Sequence, residues 1–209
     1  MSEVPLAVAE RSPVRIGAFM ALAALGFAAL IGVIAVADAE SVGSAVGVGA
    51  GAAVTVFTAG GTIACALACL VRRRTEILAL GSIAVSALAI DLFVLAIWRE
   101  IDDETYGKIT TIAFVWTIFG LLMLGLTLAV RPREQLARAL YLGAMVATGV
   151  AGLIATWLIA STGGDVTPLS PFGLASIADE SLLRPLAVAL VLLSTLWFGA
   201  LAASRLERA

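Results

Sequence analysis

Residues 77–98 read ILALGSIAVSALAIDLFVLAIW, bounded by Glu76 on one side and by Arg99 and Glu100 on the other. A helix needs about 20 apolar residues to cross the roughly 30 Å hydrocarbon core of a bilayer. This run meets that length with a single charge, Asp91, so it is a predicted membrane-spanning helix. Working outward, uncharged runs of similar length lie at Ile16 to Ala37, Ile109 to Val130 and Ala139 to Ala160. A further run begins at Pro185, expected at a first helical position because its missing N–H would be unpaired there anyway, and ends at Ala203. The stretch Val42 to Val71 is also uncharged but too long for one untilted span, so its glycine-rich first part is expected at the outer interface. The predicted fold is all-α and integral to the membrane, with six transmembrane helices in one domain covering residues 1–209.

Composition agrees. The chain is 61% hydrophobic and 13% charged, with a mean hydropathy of +1.08, against roughly 45–50% apolar and 25% charged in soluble domains. Membrane lipids are therefore the expected surroundings. The net charge of −2 and the lack of basic stretches interleaved with aromatics argue against nucleic acid. Abundant Ala, Leu, Gly and Arg with only one lysine resembles the composition of proteins from GC-rich bacteria, which points to a bacterial inner membrane.

Orientation follows from the positive residues, which are retained on the cytoplasmic side. One side of the predicted topology holds Arg11, Arg15, Arg72, Arg73, Arg74, Arg131, Arg133, Arg138, Arg205 and Arg208; the other holds Arg99, Lys108 and Arg184. Both termini and the turns at 72–76 and 131–138 are thus expected in the cytoplasm of a multi-pass cell-membrane protein. The first run exceeds the 7–15 residues of a signal-peptide core, so it is expected to be retained as a span.

The hairpin recurs three times, over approximately 11–71, 72–130 and 131–209. Each copy opens on a basic turn: Arg11-Ser12-Pro13-Val14-Arg15, Arg72-Arg73-Arg74-Thr75-Glu76, and Arg131-Pro132-Arg133-Glu134-Gln135. Each outer turn offers an acidic helix cap at Asp38-Ala39-Glu40-Ser41, Asp102-Asp103-Glu104-Thr105, or Asp179-Glu180-Ser181. All copies enter and leave on the same side, so they are predicted to be parallel repeats related by an axis along the membrane normal.

Chemistry is sparse. The chain has no histidine, which removes the commonest zinc ligand and general base. Cys65 and Cys69 lack the further ligands a metal shell needs and are read as packing residues. No phosphate-binding loop, dinucleotide fingerprint or nucleophile elbow is present. Neither an enzyme nor a cofactor is expected.

Three places break the repeat. Asp91 stands where the third hairpin has Val150. An ionisable residue at that depth is expected to face the bundle interior, either bonded to a hydroxyl or carbonyl or lining a wet path for a cation, proton or small solute. Thr58, Thr62, Ser86 and Thr117 lie at suitable depth to be its partners. Gly43, Gly47 and Gly51 recur every four residues, a spacing that lets backbones approach closely, against another helix of this chain or of a partner. The segment from Ser161 to Ser181, with Pro168-Leu169-Ser170-Pro171-Phe172-Gly173-Leu174 within it, is too apolar for a free tether. These features predict a non-catalytic scaffold or accessory subunit of a membrane assembly that packs against itself or other membrane subunits. The alternative is a small transporter or channel with Asp91 on its pathway.

Overall fold

The computed structural model describes residues 42–99, 103–130, 135–161 and 180–206. The predicted span at 16–37 and the apolar stretch at 168–174 lie outside the described residues. Five helices follow in chain order: α1 (Val42–Val71), α2 (Glu76–Arg99), α3 (Glu104–Ala129), α4 (Gln135–Ser161) and α5 (Glu180–Leu206). Each is long and apolar enough to cross a membrane, and no strand occurs among the described residues. Five such helices are consistent with a multi-pass membrane protein.

Two boundaries differ from expectation. The glycine-rich start of α1 continues without a break into the rest of a 30-residue helix. Pro185 lies inside α5, in its second turn, because the helix already begins at Glu180. A proline so near a helix start removes only one backbone bond, which limits its cost.

Helices α1, α2 and α3 pack against one another, and α4 packs between α3 and α5. Among the described helices α3 is the central one: Phe119 joins Ala151, Ala155, Ala189 and Leu193 in one cluster, while Leu124 joins Ala66, Cys69 and Ala79 in another.

Small side chains line much of the interior, while many large apolar ones face outward. Mostly small residues spaced every third or fourth position form the buried seams: Ala52, Thr55, Ala59, Thr62, Ala66 and Cys69 on α1, and Ala79, Ser82, Ser86, Ala89 and Ala96, joined by the larger Phe93, on α2. Helix α4 repeats the pattern with Ala144, Thr148, Ala151, Ala155 and Leu158. Leu124, Leu126, Leu158 and Ile159 are buried with them, but other large apolar residues point outward, with Phe57, Ile77, Trp98 and Trp157 each at least 69% exposed. Water would penalise that arrangement. Lipid does not, and there helix association rests on close backbone approach between small residues and on interhelical hydrogen bonds.

The ends of the helices are capped by specific contacts. Helix α1 stops in a Schellman motif: Arg74 N–H donates to the Cys69 carbonyl and Arg73 N–H to that of Leu70, with Arg73 left-handed at φ 49°. Arg74 then donates through Nη1 to the Thr127 carbonyl at 2.9 Å, placing a cation on the negative end of α3. At the other end of α3, the Asp103 carboxylate accepts from Tyr106 N–H at 3.0 Å, as the acidic cap at Asp102-Asp103-Glu104-Thr105 predicts. The ends of α1, α3 and α5 therefore meet the starts of α2 and α4 at one end of the bundle, which gathers Arg72, Arg73, Arg74, Arg138 and Arg205.

Candidate functional site

The polar interior of the described bundle consists of hydroxyls. Thr55, Thr62, Thr110, Thr111, Thr117, Thr127, Thr148, Ser82, Ser86 and Ser204 are buried. A buried hydroxyl without a partner is costly, and a helical threonine can avoid this by donating to the carbonyl four residues back. Thr62 donates in this way to Thr58, Thr110 to Tyr106, Thr111 to Gly107, Thr117 to Ala113 and Thr148 to Ala144, all at 2.7–2.9 Å.

Some hydroxyls also reach across helices. Thr62 Oγ1 lies 3.0 Å from the Thr117 carbonyl, joining α1 to α3. Gly120 of α3 comes so close to its neighbours that a Cβ there would sit 3.0 Å from Ser82 Oγ on α2 and 3.5 Å from Thr62 Cγ2 on α1. Tyr106 donates its hydroxyl to the Leu92 carbonyl at 2.6 Å, tying the start of α3 to α2. Between α3 and α4, Trp116 Nε1 donates to Thr156 Oγ1 at 3.0 Å, and Thr127 Oγ1 shares a 3.0 Å hydrogen bond with the Tyr141 hydroxyl.

Of the predicted polar residues, Thr62 and Thr117 thus meet at the α1–α3 contact, while Thr58, one turn before Thr62, bonds only within α1. Ser86 is fully buried on the seam of α2, and among the described residues it alone carries a buried side-chain oxygen with no hydrogen-bond partner. Asp91 is elsewhere. Five residues separate it from Ser86, which at about 100° per residue turns it about 140° away around α2. Its side chain is exposed on the outward face, where the expectation was the bundle interior. On that face it lies between Leu88 and Leu95, 50% and 44% exposed, with Trp98 beyond them. Among the described residues nothing offers Asp91 a hydrogen bond or an ion pair, and the sole lysine, Lys108, is held by Glu104.

Helix α2 has 24 residues and so measures about 36 Å. Asp91 falls about 5 Å beyond its midpoint, well within the thickness of the hydrocarbon core. A charged residue near the bilayer centre costs about 2.5–3.5 kcal/mol on insertion scales unless a partner or water relieves it.

Gly43, Gly47 and Gly51 lie in the first turns of α1. Cys65 and Cys69 are free thiols on the buried side of α1. Among the described residues no group of three or more Cys, Asp or Glu side chains is placed to hold a metal ion. The close contacts at Gly120, Gly152 and Trp116 escaped the sequence reading; the signal for them was the spacing of small residues along each helix, which fixes the faces that meet.

No protein family, characterised protein or solved structure matches this chain.

Proposed function

We propose that this chain is a non-catalytic multi-pass membrane protein, a scaffold or accessory subunit that assembles with other membrane proteins through the outward face of α2. The full topology in this reading has six spans arranged as three parallel hairpins, with both termini in the cytoplasm of a bacterial inner membrane. The sixth span is the apolar run at Ile16 to Ala37, and the gathering of arginines at one bundle end supports the cytoplasmic assignment of that end.

The observation that carries the reading is the position of Asp91. An ionisable residue deep in a span is ordinarily turned inward, toward a partner or a cavity. Asp91 is turned outward among exposed leucines, away from the hydroxyl seam of α1, α2 and α3. A contact made from outside the bundle accounts for that placement, whereas a solute path through the interior would want the carboxyl on the seam. The apolar run at 16–37 contains no side-chain hydrogen-bond donor, so it has no group with which to satisfy a carboxyl.

Site-specific photocrosslinking tests the reading. A crosslinker at Leu95, in the membranes of the producing cell, is expected to give a discrete adduct heavier than the chain, and one at Leu192 on the exposed face of α5 to give none. No adduct from Leu95, together with a solute flux in vesicles that Asp91→Asn abolishes, would replace assembly by transport.

A further inference from the structure

The chemistry of Asp91 also specifies its partner, if the assembly reading holds. Intramembrane charges are stabilised by pairing with one another. A carboxylate in an apolar stripe is best complemented by a cation at the same depth, carried on a helix smooth enough to lie against Leu88 and Leu95.

A second copy of the chain is poorly placed to supply that cation. Among the described residues each arginine lies in a turn or near a helix end, in the sequence Arg11, Arg15, Arg131, Arg133 and Arg208 flank the apolar runs, and the sole lysine, Lys108, is engaged by Glu104. Two copies meeting face to face on α2 would bring carboxyl against carboxyl. From the outward Asp91, its lack of any partner among the described residues and the absence of lysine or arginine from the interior of every apolar run of the sequence, we infer that α2 docks a transmembrane helix of a different protein. That helix carries a lysine or arginine about 5 Å from the bilayer midplane, toward the end of the bundle that holds Arg99 and Glu104.

The probe is a pair of synthetic Leu/Ala transmembrane peptides with tryptophan flanks, identical except for one position, about 5 Å off centre, occupied by Lys or by Leu. Energy transfer from the labelled full-length chain to each peptide is measured in phosphatidylcholine vesicles. The Lys peptide is expected to bind at least 10-fold more tightly than the Leu peptide. That advantage should vanish with Asp91→Asn and persist with Asp91→Glu, while the melting temperature of each variant confirms that it has folded.

Equal binding of both peptides, unaffected by Asp91→Asn, would overturn the ionic partner while leaving assembly through α2 intact. Binding of neither peptide would overturn the inference too, with the Leu95 crosslink deciding separately whether α2 assembles at all. Self-association of the chain that requires Asp91 would overturn it in favour of a second copy.

Discussion

Replacing Gly152 with alanine puts the α3–α4 contact under direct strain. A Cβ at this position would lie 3.1 Å from Trp116 Cη2, 3.2 Å from Phe119 Cδ2 and 3.3 Å from Trp116 Cζ2. Each distance is a few tenths of an ångström inside ordinary van der Waals contact. The rings are not free to yield, because Trp116 is held by its 3.0 Å bond to Thr156 and stands edge-to-face with Phe119 at 6.4 Å between centroids. Overpacking of this kind costs about 1–3 kcal/mol, while exchanging glycine for alanine within a helix returns about 0.5–1 kcal/mol. The net expectation for Gly152→Ala is a loss of about 1 kcal/mol. Gly125→Ala is the control, since a Cβ there meets nothing within 4 Å, and it should gain about 0.5–1 kcal/mol. The two variants should therefore differ by about 2 kcal/mol in reversible unfolding followed by circular dichroism in mixed micelles. Trp116→Phe removes two of the three close atoms, so it should reduce the cost of Gly152→Ala in a double-mutant cycle. Equal stabilities for Gly152→Ala and Gly125→Ala would refute the packing of α3 on α4 described above.

Three further substitutions probe the polar seams by the same unfolding assay. Ser86→Ala deletes a buried hydroxyl that has no partner and should stabilise the fold by about 0.5–1 kcal/mol; a clear loss would mean that the hydroxyl is satisfied after all. Tyr106→Phe removes the 2.6 Å bond to Leu92, whose carbonyl can keep its helical partner, so a loss of about 1 kcal/mol is expected and no change would discount the bond. Gly120→Ala would force a methyl to 3.0 Å from Ser82 Oγ and should destabilise by about 1–2 kcal/mol. Ser82→Ala should relieve that strain; a penalty that survives the second change would count against the α2–α3 contact.

The helices were legible from length and apolarity alone, because hydrocarbon thickness sets a requirement that runs such as Ile77 to Trp98 meet directly. Helix ends were legible where chemistry marks them, as at Asp103. At Pro185 the expected start falls one turn too late, because the proline sits in the second turn of α5 and not its first. Which faces meet was harder to see. In water a large apolar stripe marks the buried face, but here Leu88, Leu95 and Trp157 are outside while Ala66, Ser86 and Thr148 are inside. Periodicity of large residues therefore carries little information, and the periodicity of Ala, Ser and Thr carries much. A seam through Ser82, Ser86 and Ala89 places Asp91 on the opposite side of α2. The arginine turn was likewise read only for its charge, although Arg74 also fastens the end of α3 through Thr127.

The most direct measurement of the central claim is the environment of position 91 itself. A spin label on Asp91→Cys, in a background carrying Cys65→Ala and Cys69→Ala, can be exposed in lipid vesicles to oxygen, which partitions into hydrocarbon, and to a water-soluble nickel chelate. An outward Asp91 face predicts rapid relaxation by oxygen and little by nickel. Strong relaxation by nickel would place position 91 on an aqueous path, and exclusion of both reagents would place it inside the bundle; either result would contradict the account.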